Sequence, residues 1–151
     1  MFKFAQEGKV YWPVNLVARD AEGGEPTEAQ VFFLYRIYTR SERKAREKLL
    51  NDAMATFRAA KESADFDAAK ARLEELEAQS ETELRERILG WRGIVDGDGS
   101  ALNFTPQLLD ALLDDEAQYA RVRDGLIEAS RGARTKNSLP GPAGSQAPGQ
   151  K

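Results

Sequence analysis

The chain contains no histidine and no cysteine. The first absence removes the usual general base, the commonest metal ligand and the side chain that titrates near neutral pH. The second excludes a disulfide framework and thiolate chemistry, and is neutral about redox compartment. Long apolar runs are missing too. None approaches the ~20 residues a membrane helix needs, and Met1-Phe2-Lys3-Phe4 has no signal-peptide core, so the expected compartment is the cytosol. The net charge of -3 gives no argument for nucleic-acid or membrane attraction. The charge is nevertheless uneven. Residues from Gly132 onward hold Arg134, Lys136 and Lys151 and no acid, so the residues before them carry -6.

What is present is an ordinary soluble composition, 41% hydrophobic and 31% charged, rich in helix formers. At 151 residues one domain is expected, long enough to bury a core without staples. Residues 9–18, KVYWPVNLVA, are β-branched and aromatic, with Val10, Trp12, Val14 and Leu16 on one parity of a strand. Pro13 cannot donate to a ladder, so this is an edge strand or a broken one. A polar stretch with Gly23-Gly24 follows, then an apolar segment over 28–38 that reads as the second strand of a hairpin, or alternatively as helix.

Four helices follow. Ala45, Leu49, Leu50, Ala53, Met54, Phe57 and Ala60 recur at threes and fours over 41–63, with Ser41 as the expected N-cap. Phe66, Ala69, Leu73, Leu76, Leu84 and Ile88 do so over 65–89, where Gln79-Ser80 is a candidate break. Thr105-Pro106 opens a short helix over 105–114, lined by Leu108, Leu109, Leu112 and Leu113. The last helix, 116–131, is stopped by Gly132. The expected fold is therefore mainly α with a small N-terminal β-hairpin, a helical bundle-like body over 1–131 and a disordered Pro/Gly-rich tail over 132–151.

Each candidate site has a plain reading beside it. Asp96-Gly97-Asp98-Gly99-Ser100 begins like a calcium loop, but position 6 is Ala101 and position 12 is Gln107, so a structural turn is the better reading. The carboxylate runs at 74–77, 81–83 and 114–116 fall on outer helix faces beside arginines, which argues for solvated charge over a catalytic pair. No serine or threonine has a histidine to activate it, and neither glycine pair is a phosphate loop. The basic cluster Arg36, Arg40, Arg43, Lys44, Arg46 and Lys48, with Tyr35 and Tyr38 alongside, is the nucleic-acid hint. Glu42 and Glu47 interrupt it in the four-apart spacing of an exposed helix. Trp91 reads as a core anchor for the following loop, or as a partner-facing hot spot.

The stretch from Leu84 to Leu113 carries a resemblance. An Ile/Leu helix ends in Gly90-Trp91, an Asp-rich turn follows at 96–99, and Leu102-Asn-Phe104-Thr105 steps into a Leu-rich helix. With Trp12-Pro13-Val14 early and Thr39-Arg-Ser-Glu42 before the first long helix, this resembles the tail assembly chaperones of long-tailed bacteriophages and prophages. The acidic Asp114-Asp115-Glu116 departs from that pattern. The resemblance implies a non-enzymatic protein without cofactor or metal. It would bind the tape-measure protein, keep it soluble during tail tube assembly, meet the tail tube protein and self-associate. It would work in the host bacterial cytoplasm and be absent from the mature virion, without membrane or nucleic-acid partners. The partner-binding residues expected from the matching segment are Trp91, Ile94, Leu102, Phe104, Leu109 and Leu113. The alternative is a nucleic-acid-binding accessory protein of a phage or mobile element, using the cluster at 36–48.

Overall fold

The computed structural model describes residues 8–132, so the tail expected over 132–151 lies almost entirely outside the described residues. The first two strands, β1 (Lys9–Ala18) and β2 (Thr27–Arg36), pair antiparallel in the register Val10↔Tyr35, Trp12↔Phe33, Val14↔Val31. Segment 28–38 is therefore strand up to Arg36. A third strand, β3 (Ile88–Arg92), adds to the other side of β2, opposing Trp91 to Phe33, with a bulge at Leu34/Tyr35.

This corrects the expected fold class. The body is a three-stranded antiparallel sheet with helices against it, and a helical bundle with a small hairpin does not describe it. The reason is local. Ile88-Leu-Gly-Trp-Arg continues directly from a helix, but β2 offers it a free edge. Pairing there places both Ile88 and Trp91 in the apolar layer beside Phe33 and Tyr35.

Pro13 sits in β1 because of the register. Asn15 and Val17, on the same parity, turn their backbone groups away from β2: Gln118 accepts from the Val17 N–H (2.9 Å) and donates to its carbonyl (2.7 Å), and Arg121 donates to the Asn15 carbonyl (2.9 Å). Pro13 shares that outward parity, so its missing N–H costs no bond to β2.

Four helices complete the described chain. Helix α1 (Arg40–Ala59) is capped by Thr39, not Ser41: the Thr39 hydroxyl accepts from the Glu42 N–H, and the Glu42 carboxylate accepts from the Thr39 N–H. Helix α2 (Phe66–Arg87) runs unbroken through Gln79-Ser80 and returns antiparallel to α1, with Phe57 on Phe66 near the tip. Helix α3 (Pro106–Leu113) starts on the Thr105 hydroxyl with proline in its first turn. Helix α4 (Glu116–Arg131) starts on Asp115 and ends at Gly132, whose φ of 75° is the left-handed stop.

The core lies between the sheet and α3–α4. Val14, Leu16, Val31, Phe33, Tyr35, Ile88 and Trp91 supply the sheet side; Leu109, Leu113, Val122, Leu126 and Ala129 supply the helical side, joined by Leu84 and Tyr38. Phe33, Tyr35 and Val122 are fully buried. The Tyr35 hydroxyl donates to the Val122 carbonyl at 2.8 Å, and burial pushes its pKa well up. Helix α4 approaches closely at Gly125, where an added Cβ would lie 2.6 Å from the Tyr35 hydroxyl and 2.7 Å from Val14 Cγ2. Helices α1 and α2 form a two-helix arm inserted in the chain between β2 and β3, whose base enters this layer through Leu84.

Candidate partner-binding surface

The six residues singled out in the sequence do come together, at the β3 end of the sheet, where they build the fold. Trp91 lies edge-on to both Phe33 (ring centroids 6.2 Å apart) and Phe104 (5.1 Å), and its Nε1–H donates to the Leu102 carbonyl at 2.7 Å. Leu102 in turn donates its N–H to the Ile94 carbonyl at 2.9 Å. Trp91 thus anchors the loop that follows it, the first of its two sequence readings. Leu109 and Leu113 are buried on the inner face of α3; Ile94, Leu102 and Phe104 are half-buried. Only the latter three present surface.

The acidic turn after β3 closes on itself. The Asp96 carboxylate accepts from the Asp98 and Ser100 N–H groups at 2.8 and 3.1 Å, and the Asp96 N–H donates to the Ser100 carbonyl. This is an Asx turn, the structure that Asp-Gly-Asp-Gly favours. No group of three or more Asp, Glu, His or Cys side chains among the described residues is placed to hold a metal ion. None of the described helices is long and apolar enough to cross a membrane.

Three of the six cations at 36–48 pair with acids of the arm, and Arg36, Arg40 and Lys44 are exposed. Arg43 pairs with Glu47, Lys48 with Asp52, and Arg46 reaches Glu83. Tyr35 and Tyr38, the aromatics a nucleobase would need, are buried. Tyr38 is clasped at the base of the arm: its hydroxyl donates to Glu83 at 2.8 Å, and the Arg87 guanidinium lies over its ring at 3.9 Å. Burial, then the bond to Glu83, pushes the Tyr38 pKa up to about 12. Arg87 also donates to the carbonyls of Arg36 and Ile37 and pairs with Glu42. These polar contacts join the arm base to the body beside Leu84, which is buried in the core.

Among the described residues four large apolar side chains are exposed, Phe32 and Val95 on the body and Leu49 and Met54 on the arm. The stripe on α1 is broad, running from Ala45 and Leu49 through Ala53 and Ala60 to Leu50 and Met54. A single neighbouring helix covers only its middle. Ala53 and Ala60 are buried, while Leu49 is 45% exposed and Met54 38%. Along the Leu49 flank, α1 and α2 leave an open groove of about 620 Å³. It is lined from α1 by Ala45, Arg46 and Leu49 and from α2 by Glu75, Ala78, Gln79, Thr82, Glu83 and Glu86. In the sequence, Arg46 stood out only within the basic cluster, Glu75 and Glu83 read as solvated charge, and Ala45 and Leu49 as a helix stripe. They converge only once α1 and α2 are paired, although exposed leucine on a helix otherwise rich in charge was a visible signal.

No curated protein and no solved structure matches this chain. A family of prophage proteins does: its model, described as "YdaY prophage protein", matches residues 35–138, from the last residues of β2 through every helix and β3. The match spans well over half of the sequence, and the chain belongs to the YdaY prophage protein family.

Proposed function

We propose that this prophage protein is a tail assembly chaperone. It binds the tape-measure protein and holds it soluble in the host cytoplasm until the tail tube forms around it, and it leaves before the virion is mature. It acts by binding, with no chemistry of its own. The prophage family supports the setting, and the Gly-Trp turn and Leu-x-Phe-Thr step support the specific resemblance. The observation that carries the reading is the open groove on the arm. A long helical client hides its apolar stripe best in a trough between two helices, and such a trough is left unfilled between α1 and α2.

The reading is tested by co-expression with the tape-measure protein encoded near this gene. Soluble yield of the client should rise severalfold, and an unchanged yield refutes the proposal. The nucleic-acid alternative predicts instead a salt-sensitive gel shift on DNA.

A further inference from the structure

We infer that the occupant of the arm groove is an amphipathic client helix with a basic flank. This rests on the holding role proposed above and adds which face binds and what chemistry it selects.

Charge along the groove decides the partner. Glu75, Glu83 and Glu86 face a single cation, Arg46, which is already engaged over the Tyr38 ring and toward Glu83. Of the three acids, Glu75 has only the exposed Arg72 beside it and Glu83 is held by Tyr38 and the arm-base arginines. Glu86 pairs with none of the described residues and is exposed. Ala45, Leu49 and Ala78 are the apolar members of the lining, and the acidic ones all come from α2. A helix that lays leucines on Ala45, Leu49 and Ala78 therefore brings its flank against carboxylates, and lysine or arginine is favoured there.

Length follows from the same residues. Glu75 and Glu86 are about 16 Å apart along α2 at 1.5 Å per residue, so the groove takes about three turns of client helix. A second copy of this chain is the weaker fit, because each copy carries a net charge of -3 and like bodies repel.

The test uses the full chain and two synthetic helical peptides with the same leucine stripe, one flanked by lysine and one by glutamate. Binding is read by fluorescence anisotropy at low ionic strength. The lysine peptide should bind about tenfold more tightly, a difference of roughly 1.4 kcal/mol. The double charge reversal E75K/E86K should invert that preference, and Leu49→Asp should abolish binding of either peptide. Leu49 is already 45% exposed, so the variant is expected to keep its melting temperature, which is measured alongside.

Equal binding of the two peptides overturns the inference, and so does binding indifferent to Leu49. So does a sedimentation result in which Leu49→Asp dissolves a dimer that the peptides never disturb, since a second copy would then own the groove. If Leu49→Asp loses the peptide yet still solubilises the tape-measure protein, the groove assignment falls and the holding role stands. If the peptide binds as expected but the client is not solubilised, the groove stands and the holding role falls.

Discussion

Single residues show where this fold departs from general propensity. Gly125 lies in the interior of α4, where alanine normally stabilises a helix by up to about 1 kcal/mol. Here the sign reverses. The new methyl would meet the Tyr35 hydroxyl and Val14 at under 3 Å, and forcing that contact costs about 1–3 kcal/mol. Gly125→Ala should therefore lower the thermal midpoint, and a raised midpoint would show that α4 is free to lift off the sheet. Asp115 gives a prediction in pH. The hydrogen bond from Arg19, then the N–H groups of Gln118 and Ala117, hold its carboxyl below the usual range. A depressed folded value means the stabilisation is present above the unfolded pKa of ~3.9 and is lost as pH falls through the folded value. Glu42, held down first by the Thr39 N–H, has the same sign. Melting temperature should thus fall as pH drops below about 4. Asp115→Asn keeps a capping oxygen but removes that charge, so its acid limb should be shallower; an identical slope would assign acid sensitivity elsewhere.

Among the elements, β1 shows how an edge is closed without another strand. Gln118 offers the backbone of Val17 both an acceptor and a donor, as a neighbouring strand would, and Arg121 covers the next outward carbonyl. Gln118→Ala leaves a half-buried N–H and C=O without those partners and should cost about 1–3 kcal/mol. It should also speed aggregation, followed by light scattering; a stable, monodisperse variant would mean water seals the edge as well. Much of this was legible in the residues. The parity of Val10, Trp12, Val14 and Leu16 marked the buried face of β1, and Pro13 marked an edge strand or a broken one, of which the strand order makes it the edge. Thr105-Pro106 and Gly132 marked helix limits correctly, whereas Ser41 drew attention from the Thr39–Glu42 box two residues earlier. Strand β3 was hidden for a physical reason. Five residues joined to a helix, with a glycine among them, have too short a period to read, and only the edge of β2 makes them a strand. The groove was illegible for a similar reason: Leu49 and Ala78 lie far apart in the chain and meet only by helix pairing.

For the whole molecule, the family match and the folding unit do not coincide. The matched residues 35–138 leave out β1 and nearly all of β2, and with them Val14, Leu16, Val31 and Phe33. Burying each such side chain is worth about 1.5–3 kcal/mol, together comparable to the whole stability of a domain. A fragment of residues 35–138 should therefore lack a cooperative thermal transition and bind a hydrophobic dye, where the full chain melts sharply; a sharp melt of the fragment would place the core elsewhere. The insertion of the arm between β2 and β3 has a kinetic consequence. Strands that pair as neighbours are separated by residues 37–87, and closing so long a flexible loop costs about 3.5 kcal/mol of chain entropy before any constant term. Two antiparallel helices bring the chain back beside its starting point, leaving Arg87 over Tyr38. The arm is thus the turn of a very large hairpin, and the last strand cannot dock in time unless that turn has already closed. Substitutions that loosen the Phe57–Phe66 contact at its tip should slow refolding more than they hasten unfolding, although they lie far from the sheet they delay.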